Sequence, residues 1–161
     1  MANHVVYWIK IHRKIREICF FNARSLRNKI AKVSDFVNIN NVDILAVVET
    51  WFNHLDRDVT LPGFQPSFRK DRKTKGGGVF VSNQIPCIRR KELESENLEI
   101  VWIQLFGIYS RSILFGSCYR SPQFDQTFFE LLNQNIDKVV MHDLLLMATS
   151  TLSTAAGMTR T

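Results

Sequence analysis

The amino-acid sequence predicts a single α/β domain, and two parts of it support this prediction. Between residues 17 and 48, an apolar segment is followed by a segment with helical periodicity and then by a second, almost wholly apolar segment. Between residues 127 and 147, another amphipathic segment is again followed by an apolar run. Strands that alternate with helices are typical of α/β folds, in which helices cover a largely parallel sheet. The length of 161 residues is enough for one such domain with a substantial core.

The first predicted unit is a strand, a helix and a second strand. The strand is expected at Glu17–Phe21, where EICFF is apolar and rich in aromatic residues. A helix follows because apolar residues recur at helical spacing with basic residues between them, and the asparagines of residues 38–41 indicate its end. Val42–Val48 is apolar after its first two residues, which indicates a strand buried on both faces and parallel to its neighbour. The apolar positions of the helix are Leu26, Ile30, Val33 and either Phe36 or Val37.

The remaining elements follow from shorter patterns. Residues 1–16 show no clear element, LPGFQPSF is a loop with two prolines, and RKDRKTKGGG is a charged loop. Thr127 and Glu130 have the spacing of a capping box, so a second helix is expected to begin there. Further strands are predicted at 78–82, 98–105, 112–119 and 144–147.

The composition indicates a globular protein with an anionic partner. Hydrophobic residues make up 45% of the chain, and the formal net charge is +6. A charge of this sign favours nucleic acid or a membrane surface as a partner. No apolar run approaches the length that spans a membrane, and the N-terminal apolar residues precede their positive charges, the reverse of a secretory signal. Cys19, Cys87 and Cys118 lie far apart in apolar runs, which predicts small core side chains rather than disulfides or a zinc site.

Polar residues stand where three of the predicted strands end: Asn22 after ICFF, Glu49 after ILAVV and Tyr119 after ILFGSC. Ligands bind beyond the carboxyl ends of the strands of an α/β sheet, so these side chains share one rim if their strands are neighbours. There Glu49 could hold Mg²⁺, which takes one or two carboxylates together with water and substrate phosphates. Each residue also has a structural interpretation, because asparagine is common in turns, glutamate after a strand is often only solvated, and tyrosine is often packed.

The charged loop offers candidate contacts to a DNA backbone. Its cations are Arg69, Lys70, Arg72, Lys73 and Lys75. Such a run is either a solvated loop or a salt-dependent contact to phosphates that does not depend on base sequence. The GGG that follows lacks the spacing of a phosphate-binding loop and leads into a strand, so a flexible turn is the better interpretation.

Five motifs in one order resemble a known family. NARSLRNK, DILAVVETWF, LPGF, RKDRKTKGGGV and YRSP are similar to motifs of the endonuclease domain of non-LTR retrotransposons of the jockey type. That domain belongs to the endonuclease/exonuclease/phosphatase superfamily, and the resemblance extends over residues 18–147. It implies a four-layer α/β sandwich that nicks target DNA with Mg²⁺, so that the new 3′ end primes reverse transcription. The expected fold is therefore α/β, the N-terminal part of an incomplete sandwich.

The resemblance also implies roles for single residues. Asn22 corresponds to an asparagine near the scissile phosphate, Glu49 to the metal-binding glutamate, and Tyr119 to a tyrosine that approaches the phosphate. Arg24 and Arg120, which lie inside the matching motifs, join the basic loop as candidate DNA contacts.

One segment departs from the family pattern. The family has Gly-Asp-Phe-Asn after its next strand, and this Asp helps to activate or orient the attacking water, whereas this chain has Met147-Ala148-Thr149-Ser150. Codons for these four residues and the following Thr151 permit Gly-Asp-Phe-Asn when they are read from the third base of the Met codon. We therefore hypothesise a shift of reading frame at Met147, with an ordinary disordered C-terminus as the alternative. The expected organisation is an N-terminal extension at 1–16, a partial endonuclease/exonuclease/phosphatase domain at 17–147 and an unstructured tail at 148–161.

These features predict a partial Mg²⁺-dependent DNA endonuclease domain that does not cleave on its own, because the family's late Asp and Asp-His pair have no counterpart in the sequence. The alternative is a basic nucleic-acid-binding or interaction protein without catalysis. DNA is the expected partner, with no membrane and no disulfide-linked partner. Half of a two-sheet sandwich leaves an apolar sheet face uncovered, so self-association through that face is also expected. The family role would place the protein in the nucleus; otherwise it would be cytoplasmic, and secretion is not expected.

Overall fold

Two β-sheets and two helices form the part of the chain that the computed structural model describes. This part comprises residues 7–9, 15, 17–56, 59–71, 76–107, 112–120, 127–139 and 143–150. The first sheet contains β1 (Tyr7–Ile9), β2 (Ile18–Asn22), β3 (Ile44–Val48), β4 (Phe68–Lys70) and β5 (Gly77–Val81), in the order β1-β2-β3-β5-β4. The second contains β6 (Cys87–Arg89), β7 (Glu99–Leu105), β8 (Ile113–Arg120) and β9 (Asp143–Ser150), in chain order. The helices are α1 (Ile30–Ile39) and α2 (Thr127–Asp137).

The predicted strand–helix–strand unit is present. β2 and β3 pair in parallel with α1 between them in the chain, and every residue of β3 is buried. α1 begins at Ile30 rather than at Leu26, although Leu26 is still fully buried against the same apolar cluster. The helix ends at Ile39, within the asparagine-rich residues 38–41 where its end was predicted. Asn41 adopts a left-handed φ of 51°, which cannot continue a helix.

The two sheets face each other, and each carries a helix on its outer side. Residues that alternate along the strands supply the two faces: Ile44 and Ala46 of β3 point between the sheets, whereas Leu45 and Val47 pack towards α1. A third apolar cluster joins the outer face of the second sheet to α2. The layers are thus helix, sheet, sheet and helix, which confirms the predicted α/β sandwich.

Several local predictions were wrong. Residues 7–9, expected to lie outside any element, form β1, which pairs antiparallel with β2, and Ile15 is part of the core between the sheets. Arg69 and Lys70 lie in β4 rather than in a loop, and β5 begins at Gly77, one residue before the predicted strand and within the expected flexible turn. Three-residue strands such as β4 leave little periodicity in the sequence, so their pairing depends on contacts made elsewhere.

The C-terminal and sheet-face predictions also need correction. β9 does not end at Met147 but continues through Ser150, pairing in parallel with β8 over its whole length. Residues 151–161, the rest of the expected tail, lie outside the described residues. The central strands β3, β5 and β8 are buried almost throughout, so these three strands show no uncovered apolar face. Self-association stays a prediction.

All three cysteines are free thiols. Cys19 and Cys118 are fully buried, and burial, reinforced by nearby glutamates, raises the pKa of each thiol to about 12. Cys87 is partly buried, and burial raises its pKa as well. Both buried thiols are therefore uncharged near neutral pH and pack as small apolar side chains. None of the helices that the structure describes is both long and apolar enough to pass through a membrane.

Candidate functional site

The centre of the candidate site is a hydrogen bond between the two sheets. Tyr119, near the end of β8, donates its hydroxyl hydrogen to a carboxylate oxygen of Glu49, which directly follows β3. Both side chains are buried, with 1% and 5% of their surfaces exposed. The sequence predicted a shared rim only if the strands were neighbours in one sheet. The strands before Asn22 and Glu49 are parallel neighbours in the first sheet, whereas Tyr119 belongs to the second sheet. Tyr119 reaches the rim because the two sheets face each other.

Asn22 lies at the same rim, one strand away from Glu49. It is the last residue of β2 and pairs with Val48, and its side-chain oxygen accepts a hydrogen bond from the backbone N–H of Arg24 at 3.0 Å. This bond closes a turn typical of asparagine. Of the two amide atoms of Asn22, only the nitrogen is a donor, so it is the atom that could bind an anionic ligand.

Backbone hydrogen bonds fix the loop after β2 against the loop after β3. The N–H groups of Ala23, Ser25 and Leu26 donate to the carbonyl oxygens of Val48, Glu49 and Thr50 at 2.9, 2.8 and 2.9 Å. These bonds extend the pairing of β2 and β3 past the ends of the strands. Asn22 and Glu49 are therefore held in fixed relation by the backbone as well as by their strands.

The rim also concentrates unusual backbone conformations. Arg24 and Ser25 have φ values of 43° and 80°, and Glu49 and Trp51 have φ values of 52° and 60°. Side chains other than glycine rarely adopt such angles, and residues that do so cluster at binding sites and active sites. Four of the five non-glycine residues with positive φ among those described flank this one rim, which marks the two loops as specially shaped.

Glu99 is a site residue that the sequence reasoning missed. It is the first residue of β7 and lies directly opposite Tyr119 in the antiparallel β7–β8 pair, so both side chains share a face. It is 8% exposed, and its carboxylate lies beside Gly77 of the first sheet, since a Cβ added to Gly77 would be 3.5 Å from Glu99 Oε1. Pairing residues 98–105 with 112–119 as a hairpin could have revealed this placement from sequence.

The acidic groups at the rim suit only some metal ions. Among the described residues, no group of three or more Asp, Glu, His or Cys side chains is placed to hold a metal ion. A structural zinc site or a calcium cage needs more protein ligands than Glu49 and Glu99 provide. Mg²⁺ keeps several waters and binds through one or two carboxylates and substrate phosphates, so the residues present fit Mg²⁺.

A cavity of about 470 Å³ lies beside this rim. Lys70 on its wall donates to the carbonyl oxygen of Ser95 at 2.6 Å and lies 3.9 Å from the carboxylate of Glu94. Burial lowers the pKa of Lys70, while the Glu94 carboxylate opposes this effect. The cavity is lined by Lys70, Asp71, Glu96, Asn97, Leu98, Glu99 and Leu131.

The candidate DNA contacts fall into different environments. Arg24 is exposed at the rim. Arg69 is turned inward, where its guanidinium binds Asp71 and the carbonyl oxygens of Asn53 and Asp56 and lies over the ring of Phe52. Lys70 is directed into the protein, as described above. The guanidinium of Arg120 lies over the ring of Phe129, 5.1 Å from its centre, and over that of Phe128 at 5.9 Å. The other three candidates, Arg72, Lys73 and Lys75, lie outside the described residues.

No family model matches the sequence, and no curated protein matches it. Solved structures do resemble it. The endonuclease domain of TRAS1, a telomere-specific non-LTR retrotransposon, is 15% identical with a TM-score of 0.62 over 81% of this chain and 57% of that chain. The 3′ phosphatase NExo from Neisseria, solved with a product DNA hairpin, is 18% identical with a TM-score of 0.54 over 81% and 56%. The human Nocturnin catalytic domain is 12% identical with a TM-score of 0.56 over 90% and 66%.

These similarities establish the fold. The chain has the architecture of endonuclease/exonuclease/phosphatase proteins, and the predicted resemblance is confirmed at the level of fold. It spans 57% and 56% of the lengths of the TRAS1 and NExo chains. Fold alone does not determine activity, so what the chain does has to be argued from its own residues.

Proposed function

We propose that this chain is the N-terminal part of a Mg²⁺-dependent DNA endonuclease domain of the retrotransposon type, which binds DNA but does not cleave it alone. The observation that carries the proposal is the buried hydrogen bond between Tyr119 and Glu49, with Asn22 on the adjacent strand. The similarity in fold to a retrotransposon endonuclease domain, and to a phosphatase solved with DNA, supports a nucleic-acid substrate. The net charge of +6 favours the same partner.

Each rim residue has a role that its geometry supports. Glu49 would hold Mg²⁺, which when bound neutralises charge on a phosphoryl oxygen. Tyr119 fixes the direction of the Glu49 carboxylate by donating to one of its oxygens. Asn22, whose amide oxygen accepts from the backbone, would donate from its amide nitrogen to a phosphate oxygen.

Cleavage also requires a group that activates water, and the family pattern has an Asp for this role directly after the strand that corresponds to β9. In β9, Thr149 pairs with Tyr119 and Ser150 with Arg120, and the segment from Met147 to Ser150 contains no carboxylate or imidazole. A positioned group that accepts a proton from the attacking water contributes about 10²–10⁴ to the rate. We therefore expect no measurable nicking of supercoiled plasmid in Mg²⁺. Nicking by the wild type that disappears in Glu49→Ala would contradict this part of the proposal.

The metal dependence of DNA binding tests the proposal directly. Affinity for a labelled duplex is measured in Mg²⁺ and in a chelator, for the wild type and for Glu49→Gln, at one ionic strength. We expect Mg²⁺ to raise the affinity of the wild type but not that of Glu49→Gln, because Glu49 would hold the ion and the ion's charge would attract phosphate. Equal effects of Mg²⁺ on both proteins would contradict a metal site at Glu49.

The alternative is a nucleic-acid-binding protein that has the scaffold without the metal chemistry. The absence of an acidic residue between Met147 and Ser150 favours it. In that case binding would depend on salt but not on Mg²⁺ or Glu49, because contacts to phosphates release counterions wherever they are made. The same measurement therefore distinguishes the two functions.

A further inference from the structure

Trp51 is a large aromatic side chain exposed beside the candidate site. It lies two positions after Glu49, and 43% of its surface is exposed. Its neighbours Thr50 and Phe52 are buried, with 2% and 5% exposed. Because the two flanking side chains are fixed in the interior, the one between them is directed outward. The indole is thus presented to solvent by a packed segment.

The segment that carries Trp51 is held at several points. The N–H and the hydroxyl of Thr50 both donate to the carbonyl oxygen of Gly76, at 2.7 and 2.8 Å. Arg27 Nε donates to the carbonyl oxygen of Trp51 at 3.3 Å, while Arg27 Nη2 forms an ion pair with Asp56 at 2.7 Å. A side chain on a backbone fixed in this way loses little freedom when it binds a ligand.

The surroundings of the indole match the two parts of a nucleotide. Arg24 is exposed on the neighbouring loop, and about half of the Arg27 side chain is exposed. Cations of this kind attract phosphates, whereas an indole face offers a stacking surface that any base can use. Arg27 already pairs with Asp56, so Arg24 is the cation that an apolar protein partner would leave unused while it gained from the indole. The combination favours DNA with an accessible base.

We infer that Trp51 stacks on an unpaired or displaced base of the DNA bound at this rim. The inference rests on the proposed function, because it takes DNA as the ligand of the Glu49 edge. It adds a contact to a base, whereas Asn22 and Glu49 are proposed to act on the phosphate. Stacking on an aromatic side chain strengthens binding by about five- to 150-fold, which corresponds to about 1–3 kcal/mol.

The test compares two single-stranded probes of equal length and charge: oligothymidylate and an abasic deoxyribose-phosphate oligomer. Affinities are measured in Mg²⁺ by fluorescence anisotropy for the wild type, Trp51→Ala and Trp51→Phe. We expect the wild type to prefer oligothymidylate by at least fivefold, Trp51→Ala to lose that preference while it keeps its affinity for the abasic oligomer, and Trp51→Phe to keep part of it. Ile88→Ala removes another exposed apolar side chain, 48% exposed on an edge strand of the second sheet, and serves as the matched control.

The outcomes separate the inference from the proposed function. Binding of neither probe by the wild type would overturn the stacking contact, and a failure to bind the labelled duplex as well would overturn the proposed function. Binding of both probes with a preference that Trp51→Ala retains would overturn only the stacking contact. An equal drop in affinity for both probes in Trp51→Ala would also overturn it, because that drop would report a change unrelated to bases. Matching urea-unfolding midpoints for the variants exclude loss of folding as the cause.

Discussion

Removal of the Tyr119 hydroxyl tests whether the hydrogen bond to Glu49 joins the two sheets energetically. Tyr119→Phe leaves the ring in the core between the sheets and removes only the donor to a carboxylate that is 5% exposed. A hydrogen bond to a charged group contributes about 1.5–3 kcal/mol. We therefore expect the free energy of unfolding to fall by about 2 kcal/mol. For a chain of 161 residues this lowers the Tm by about 4–8 °C.

The assay is urea unfolding of Tyr119→Phe, Glu49→Gln and the double variant. The two single losses should not add, and we expect a coupling free energy of about 1 kcal/mol or more, because each single change already breaks or weakens the same bond. Asn135→Ala serves as the additivity control, since Asn135 binds Trp102 on the opposite face of the second sheet. A coupling between Tyr119 and Glu49 within about 0.5 kcal/mol of zero would refute the reasoning, because independent sites add to that precision.

Three further predictions concern packing, pH and charge. Gly116→Ala should lower the free energy of unfolding by about 1–3 kcal/mol or more in urea titrations, because a methyl group there would overlap a buried indole ring, and an unchanged midpoint would contradict this packing. The pKa values of Cys19 and Cys118 are raised from 9.0 to about 12, so stability is complete below pH 9 and falls as the pH rises towards 12. At about pH 10, each thiol should lower the free energy of unfolding by about 1.4 kcal/mol. Replacement of either cysteine by Ala should remove its share of this fall, and an unaltered profile of unfolding free energy against pH would refute the prediction. Arg24→Ala should reduce the slope of log Kd for DNA against log salt by about one, whereas Arg69→Ala should lower stability by about 1–3 kcal/mol and leave the slope unchanged; the reverse pattern would contradict their placement.

The sequence predicts the large elements because their patterns are local. The run Val42–Val48 is apolar enough to identify a buried strand, and the spacing of Val33 and Val37 identifies the face of α1 that packs on the sheet. The short strands have no such pattern. In β4, Arg69 and Lys70 look like loop residues in the sequence. They are half-buried because each has a hydrogen-bond acceptor: the carboxylate of Asp71 for Arg69, and the carbonyl oxygen of Ser95 for Lys70.

The candidate site could be predicted only in part for a related reason. Strand ends identify Asn22, Glu49 and Tyr119 as polar residues at carboxyl edges, but no local pattern shows that β8 belongs to a second sheet that faces the first. Glu99 was missed because it lies inside the segment 98–105, whose pattern predicted a strand and no more. Its proximity to Tyr119 depends on the register of β7 against β8, which is set by the whole hairpin.

The hydrogen bond between Glu49 and Tyr119 has two consequences that must be separated in any test of catalysis. It presents a carboxylate at a rim suited to Mg²⁺, and it also connects two sheets in the interior of the protein. A chain without catalysis would still need both residues for stability, so their presence alone does not indicate cleavage. Glu49→Ala changes both properties, because it removes the metal ligand and leaves the Tyr119 hydroxyl buried without its acceptor. Glu49→Gln keeps an acceptor oxygen for Tyr119 and removes the charge that would bind the metal. A loss of Mg²⁺ dependence in Glu49→Gln that remains cooperatively folded in urea titrations is therefore the result that would assign Glu49 a role beyond holding the sheets together.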